Sequence, residues 1–324
     1  LKVVVTGGAG FIGSNFVRMW ASGAFSEIRD VIVVDKLTYA GNLQNLSTVM
    51  TNGNFTFVKG DICSPDLIEQ VLSTHNPTGF INFAAESHVD RSILGARDFV
   101  DTNVFGVQVV LDALKSRQGI RFLQVSTDEV YGSISEGSWT EESPLLPNSP
   151  YSATKASAEL LCRAYHVTYG LDVVVTRSSN NYGTHHYPEK LIPLAITNLI
   201  QNLKVPVYGN GLNVRDWLHV DDHCRGIYLA FFNGRSGHSY NIGGGAELTN
   251  LELVQNLLTS FQSTEEMIAW VEDRKGHDLR YSIDYTKAKL EIDYSPEKNF
   301  QSGLEETIFW YRNNETWWRP LLKK

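Results

Sequence analysis

The sequence predicts an α/β protein: one large doubly wound parallel sheet with helices on both faces, followed by a smaller α/β C-terminal lobe. Three observations carry this expectation. Short, mostly apolar runs alternate with longer helix-like stretches through the first half of the chain. A glycine-rich turn follows the first of those runs at once. After about Ser178 the alternation loosens into loops, short helices and a few strands.

The runs Val3–Thr6, Val31–Asp35, Phe55–Lys59, Gly79–Ala84, Phe122–Thr127 and Val173–Thr176 read as strands. They are apolar almost throughout, as strands covered on both faces must be. Helices are expected near Ile12–Trp20, Asp66–Ser73, Asp98–Lys115 and Tyr151–Tyr169. A helix between successive strands keeps those strands parallel. Residues 1–178 are expected as a cofactor domain and 179–324 as a substrate lobe, with a crossing back to the first domain open around 214–243. In the lobe, Val205–Tyr208 reads as a strand, and Leu251–Phe261 and Gly303–Arg312 as helices.

Composition narrows the class. The chain has 324 residues, 42% hydrophobic and 20% charged, with a net charge of -8. An acidic chain of this kind is not attracted to nucleic acid or to an anionic membrane surface. It has no apolar run of membrane-spanning length. It opens directly into a strand without a leader pattern, so a cytoplasmic location is expected. Cys63, Cys162 and Cys224 are far apart and form no C-x-x-C pair, which argues for reduced thiols. His185 and His186 are adjacent rather than helically spaced, and no metal site is expected.

The turn after the first strand reads Thr6-Gly7-Gly8-Ala9-Gly10-Phe11-Ile12-Gly13. Gly7, Gly10 and Gly13 let backbone N–H groups approach a pyrophosphate at the start of a helix, the fingerprint of a Rossmann-like fold. Asp35 ends the second strand, 22 residues after Gly13, where an acid accepts the ribose hydroxyls. A carboxylate there repels a 2′-phosphate, so NAD is expected rather than NADP. Lys36 beside it softens that repulsion, and Asp61-Ile62 after the third strand could flank the adenine.

Tyr151 and Lys155 stand four apart, on one face of the expected helix that Pro150 starts. A free tyrosine is a poor base near neutral pH, and an ammonium one turn away favours its phenolate. At the end of the fifth strand comes Ser126-Thr127-Asp128-Glu129-Val130-Tyr131-Gly132. An acid beside a base is what removal of water requires, and the carboxyl end of a strand is where such sheets place chemistry.

With these motifs the chain resembles the short-chain dehydrogenase/reductase superfamily in its extended, nucleotide-sugar branch. Further stretches are similar to the dTDP-glucose 4,6-dehydratases of that branch along essentially the whole chain. They include Asp35-Lys36-Leu37-Thr38-Tyr39-Ala40-Gly41-Asn42 and Phe83-Ala84-Ala85-Glu86-Ser87-His88-Val89-Asp90-Arg91-Ser92. Asn180-Asn181-Tyr182-Gly183, Pro188-Glu189-Lys190-Leu191-Ile192-Pro193, Asn213-Val214-Arg215-Asp216-Trp217 and Asp273-Arg274-Lys275-Gly276-His277-Asp278 follow. Thr184 departs from the proline common there, and Ser178-Ser179 from a frequent cysteine, which bears on loop shape rather than on the reaction.

The resemblance implies roles. Tyr151 takes the sugar 4-hydroxyl proton while hydride passes from C4 to NAD, and Lys155 holds the nicotinamide ribose. Thr127 bonds the 4-oxygen, Glu129 removes the C5 proton, and Asp128 protonates the departing 6-hydroxyl before hydride returns to C6. The resemblance adds Thr38, Ala84, Ala85, Ser87 and Asn103 to the cofactor set. For the dTDP-sugar it implies Ser87, Thr127, Asn180, Glu189, Lys190, Leu191, Pro206, Tyr208, Arg215, Asn250, Arg274 and His277. Arg215 and Arg274 suit diphosphate oxygens, and the Pro206–Tyr208 strand suits a pyrimidine. UDP-glucose in place of dTDP-glucose, and an epimerase or decarboxylase on the same fold, stay open as alternatives. The resemblance also implies a homodimer through the segments Asp98–Lys115 and Tyr151–Tyr169.

Overall fold

The six apolar runs form six strands of one sheet: β1 (Lys2–Thr6), β2 (Asp30–Asp35), β3 (Phe55–Lys59), β4 (Gly79–Asn82), β5 (Arg121–Thr127) and β6 (Val173–Ser178). The computed structural model describes residues 1–117 and 119–323. Its other strands are β7 (Asn180–Tyr182), β8 (Val205–Tyr208), β9 (Val214–His219), β10 (Ser239–Ile242), β11 (Glu247–Thr249) and β12 (Ile268–Val271). The large sheet has seven strands in the order β10-β6-β5-β4-β1-β2-β3. All its pairings are parallel. The winding direction reverses between β1 and β4, and a crevice therefore opens at their carboxyl ends.

Alternation along the strands feeds two cores. Val3 and Val5 face a layer holding helix α1 (Phe11–Ala21), whereas Val4 faces the opposite layer with α2 (Pro65–His75). The short helices α3 (Val89–Leu94) and α4 (Arg97–Val100) precede a π turn (Asp101–Phe105) and α5 (Gly106–Lys115). The sequence suggested one helix over Asp98–Lys115; the π turn interrupts it, as such turns do where a side chain must be re-aimed. Helix α6 (Pro150–Tyr169) covers the Val4 side through Ala158 and Cys162. A Ser149–Ser152 capping box and Pro150 start it, and Gly170 with φ 70° ends it.

The smaller lobe is built on α7 (Leu191–Ile200), α9 (Asn250–Ser260), α10 (Phe300–Asn313) and the short sheets β11-β9-β7 and β12-β8. Its core joins Ile196, Val205, Leu253, Leu257, Leu304 and Trp318. Between β9 and β10 runs α8 (Val220–Asn233), whose Ile227 and Phe231 lie in the same core as Phe16 and Val17 of α1. The seventh strand and this covering helix therefore come from the second half of the chain. The fourth strand stops at Asn82 rather than Ala84, which leaves Phe83 to Ser87 free to turn along the crevice. Among the described residues no helix is long and apolar enough to cross a membrane.

Candidate active site

A cleft of about 560 Å³ follows the carboxyl ends of β1, β4 and β5 and continues beneath the smaller lobe. The glycine turn forms one wall. Gly7 has φ +68°, and a Cβ there would sit 2.6 Å from the Ala84 nitrogen, so β1 and β4 can only approach this closely through glycine. Gly10 caps α1 without a side-chain bond, and the first turn of that helix carries no acid. Its N–H groups are left for an anion.

Asp35 is buried at the far end of that wall. Its Oδ2 accepts from the Ala9 N–H at 2.9 Å and its Oδ1 from the Leu37 N–H at 2.8 Å. Burial pushes its carboxyl upward in pKa, and the two N–H bonds pull it back. Lys36 does not turn toward Asp35; its Nζ pairs with Asp61 at 2.6 Å. Its charge is neutralised there, so the softening of Asp35 suggested by the sequence is not what the geometry provides. Gly13, Phe11, Ile12, Thr38, Ile62, Ala84, Ala85 and Ser87 all line the same cleft. An uncapped helix start, crowded glycines and a buried acid together fit a dinucleotide such as NAD.

Asn103 does not join them. It lies in the π turn, only 1% exposed, and does not line the cleft. Its amide accepts from the Glu86 N–H at 2.9 Å and donates to the Glu86 carbonyl at 3.0 Å and to Thr154 Oγ1 at 3.0 Å. These bonds hold the Ala84–Ser87 wall against α6, so Asn103 supports the cofactor side of the cleft from behind.

The chemistry-bearing groups gather where β5 ends. Thr127 is its last residue, and a 3₁₀ turn (Asp128–Tyr131) follows. The Glu129 N–H donates to Thr127 Oγ1 at 3.3 Å, and Thr127 Oγ1 donates to Asp128 Oδ1 at 3.3 Å. Asp128 is buried, and its Oδ2 has no hydrogen-bond partner. Burial, then the Glu129 and Asp216 charges, raise its pKa well above the ordinary range. Burial raises Glu129 too, against Lys190, Arg215 and Arg274. Both line the cleft, Asp128 buried and Glu129 half-buried. Two neighbouring carboxyls thus meet different environments.

Tyr151 and Lys155 reach the same place from α6. Burial and the charges of Glu129 and Asp128 hold the proton on Tyr151, while the Thr127 hydroxyl favours its release. Lys155 Nζ donates to the Val125 carbonyl at 2.7 Å, and burial lowers its pKa to about 8. The sequence suggested that this ammonium brings the tyrosine toward a working pKa. One of its three N–H donors is taken by the strand backbone, and burial dominates the shift of Tyr151 in the protein alone.

The smaller lobe roofs the cleft with cations on aromatic faces. The Arg215 guanidinium lies 4.4 Å from the Tyr281 ring centre and donates to the Asp278 carbonyl at 2.9 Å. Arg274 lies 4.8 Å from the Tyr208 ring centre and 3.3 Å from Asp90. Lys190 donates to the Ser87 carbonyl at 2.9 Å, and Asn180 Oδ1 is buried without a partner. Glu189, Leu191, Pro206, Asn250 and His277 complete the roof.

A family model described as GDP-mannose 4,6 dehydratase matches residues 4–307. The chain is 54% identical to a dTDP-glucose 4,6-dehydratase of Streptomyces niveus over 99% of this chain and 96% of that protein. This chain belongs to the dTDP-glucose 4,6-dehydratase family. A crystal structure of a dTDP-glucose 4,6-dehydratase from Streptomyces venezuelae with NAD bound superposes with a TM-score of 0.97 at 53% identity, covering 99% of this chain and 100% of that one. The dTDP-glucose 4,6-dehydratase from Bacillus anthracis, also in complex with NAD, gives 0.92 at 48% identity, with 99% of each chain covered.

Within this dehydratase fold, some residues in or beside the cleft have partners that the sequence does not indicate. Arg91 stacks 3.7 Å from the Tyr39 ring centre and donates to Glu189 at 3.1 Å, tying the first domain to the roof. Tyr281 donates to Asp278 at 2.6 Å beside Arg215. The motifs containing Asp90, Arg91 and Asp278 were visible, but nothing in their spacing says which partner each meets.

Proposed function

We propose that the chain converts dTDP-glucose into dTDP-4-keto-6-deoxy-glucose by oxidation at C4, loss of water across C5–C6 and reduction at C6. The observation that carries this reading is the divided carboxyl pair. Both line the cleft, but Asp128 is buried with a partnerless carboxyl oxygen, where burial and neighbouring charges favour its protonated form, whereas Glu129 is half-buried and meets the cations Lys190, Arg215 and Arg274. Elimination of water needs such an acid beside such a base.

Gly7, Gly10, Gly13 and the start of α1 would hold the pyrophosphate of NAD; Asp35 its adenosine ribose; Thr38, Asp61, Ile62, Ala84, Ala85 and Ser87 its flanks; Lys155 its other ribose. The chemistry a bound NAD supplies is reversible hydrogen transfer, out of C4 and back into C6. Thr127 orients the 4-oxygen and Tyr151 takes the 4-hydroxyl proton, with Lys155 as the nearby ammonium that supports its phenolate. The 4-ketone acidifies the C5–H, so Glu129 can remove that proton while Asp128 gives one to the departing 6-hydroxyl. Arg215 and Arg274 bind the diphosphate, Pro206 and Tyr208 the pyrimidine. Asn180, Lys190, Leu191, Asn250 and His277 hold the rest of the nucleotide sugar, with Glu189 bracing the roof. Residues 1–178 thus serve the cofactor and 179–324 the nucleotide sugar, with α8 and β10 returning to the large sheet.

The chain works as a cytoplasmic homodimer in this reading; three free cysteines suit a reducing compartment. The outer face of α6 exposes Ala153, Leu160, Ala164 and Val167 at helical spacing, and Val100 and Phe105 are exposed beside it. Such a row of exposed apolar side chains, broken by Ser157, suits a second copy of itself.

The deciding experiment follows product mass and label. With dTDP-glucose the product should be lighter by one water, and deuterium placed at C4 should appear in the C6 methyl group. Product of unchanged mass with deuterium still at C4 would mean epimerisation and would overturn the proposal. Faster turnover of UDP-glucose would overturn the choice of nucleotide.

A further inference from the structure

Helix α6 carries three buried, chemistry-bearing side chains at successive turns: Tyr151, Lys155 and Glu159. The first two enter the reaction proposed above, and the third does not. Yet Glu159 is as fully engaged as either. Its Oε1 accepts from the Ser126 hydroxyl, and its Oε2 accepts from Arg177 Nε at 2.8 Å and lies 2.7 Å from the second guanidinium nitrogen. Arg177 stands on β6 and donates onward to the Tyr131 hydroxyl at 2.5 Å, which donates to Asn241 Oδ1 on β10 at 2.8 Å.

A buried ion pair contributes little net stability compared with well-packed apolar side chains, so its presence beneath an active site asks for another reason. The register supplies one. Lys155 is bonded to Val125 and Glu159 to Ser126, so two residues one turn apart on α6 grip two consecutive residues of β5. The next residues of that strand and its turn are Thr127, Asp128 and Glu129. Sliding α6 along β5 would carry Tyr151 away from all three.

We propose that Glu159 is a positioning residue of the dehydratase reaction: its carboxylate locks α6 to the catalytic end of β5 and serves as the counter-charge of the Lys155 ammonium. This rests on the dehydratase reading above. The groups around Lys155 agree with it. Burial alone lowers its pKa, to about 8, and Glu159 on its own helix is the chief group that opposes that fall. Cys162 is itself pushed up by burial and then by Glu159, so it stays a neutral thiol. From β5 comes only the Val125 carbonyl. From β6 comes Arg177, a cation on the far side of Glu159, which Tyr131 and Glu141 also face. Neutralising Glu159 would leave Lys155 near an uncompensated cation, and it would lose its proton at lower pH.

The test compares kcat against pH for the NAD-loaded protein and Glu159→Gln, with dTDP-glucose as substrate. The alkaline limb of kcat should move down by ~1 pH unit or more, with KM changed less than about twofold because no substrate contact is lost. Glu159→Asp, which keeps the charge, should lower kcat but leave the limb in place. A folded Glu159→Gln protein whose limb coincides with wild type would overturn the proposal, whatever its absolute rate. If Glu159→Gln fails to fold because it strands Arg177, the comparison is Glu159→Gln/Arg177→Met with Arg177→Met: the double variant's limb should lie below that of Arg177→Met, and coincident limbs would overturn the proposal. A wild-type protein inactive on dTDP-glucose would count against the reaction and not against Glu159.

Discussion

Thr127 Oγ1 meets Oδ1 of Asp128 at 3.3 Å, while the other carboxyl oxygen, Oδ2, is buried with no partner. Such an oxygen is costly as part of a carboxylate and comfortable as a protonated acid. The arrangement favours a proton on Asp128 beside Glu129, the base of the proposed elimination. Replacing both with amides should therefore separate oxidation from elimination. In Asp128→Asn/Glu129→Gln, substrate should generate reduced cofactor absorbance that persists, with product formation down by about 10²-fold or more. Product at near wild-type rate would remove both residues from the mechanism.

The same burial predicts a stability effect of opposite sign. The folded pKa of Asp128 lies well above its unfolded value, so the folded state holds a proton that the unfolded chain has released. Stability from this group is fully present below the unfolded pKa and is lost as pH rises toward the folded one. Asp128→Asn cannot ionise, so its melting temperature should rise relative to wild type as pH increases above about 4. Thermal melts at pH 4 and pH 8 measure this, and a difference that shrinks with pH would contradict it.

Asp35 organises the glycine turn through the Ala9 and Leu37 N–H groups and is proposed to face the ribose. Asp35→Ala removes an acceptor from the Ala9 and Leu37 N–H groups. NAD affinity should fall by about tenfold or more, and discrimination against NADP should narrow because the repelling charge is gone. Calorimetric titration with both dinucleotides tests this, and unchanged selectivity would reject the charge argument.

Asn103→Ala should spare the cofactor and cost the fold. Three hydrogen bonds to Glu86 and Thr154 disappear, which amounts to ~2–3 kcal/mol and a melting temperature several degrees lower. The amount of NAD released on denaturation, measured per folded protein, should match wild type. A large loss of NAD at unchanged stability would instead assign Asn103 a direct contact with the cofactor.

Leu160 is 59% exposed in the middle of the apolar stripe on α6. Leu160→Arg should leave the fold intact and shift the protein from dimer to monomer in sedimentation velocity. A wild-type protein that sediments as a monomer would reject this interface outright.

The strands, the glycine turn and the four-residue spacing of Tyr151 and Lys155 could be read from the chain because each is local. Apolar runs in a sheet buried on both faces, a glycine turn before a helix and an i,i+4 pair are consequences of neighbours in sequence. Aspartate beside glutamate at a strand end was equally visible, and with the longer motifs it was enough to point to the reaction. The tertiary structure decided what depends on distant partners. It turned Asn103 inward to Glu86 and Thr154, because a π turn in a helix is set by what the side chain meets. It sent Lys155 to the Val125 carbonyl, and it left Asp128 buried and Glu129 half-buried, a difference of environment that two adjacent letters cannot express. It returned β10 to the edge of the large sheet and placed Arg177 on Glu159, 18 positions apart. Burial and long-range pairing fix these charges, and both arise only when the strands have been assembled.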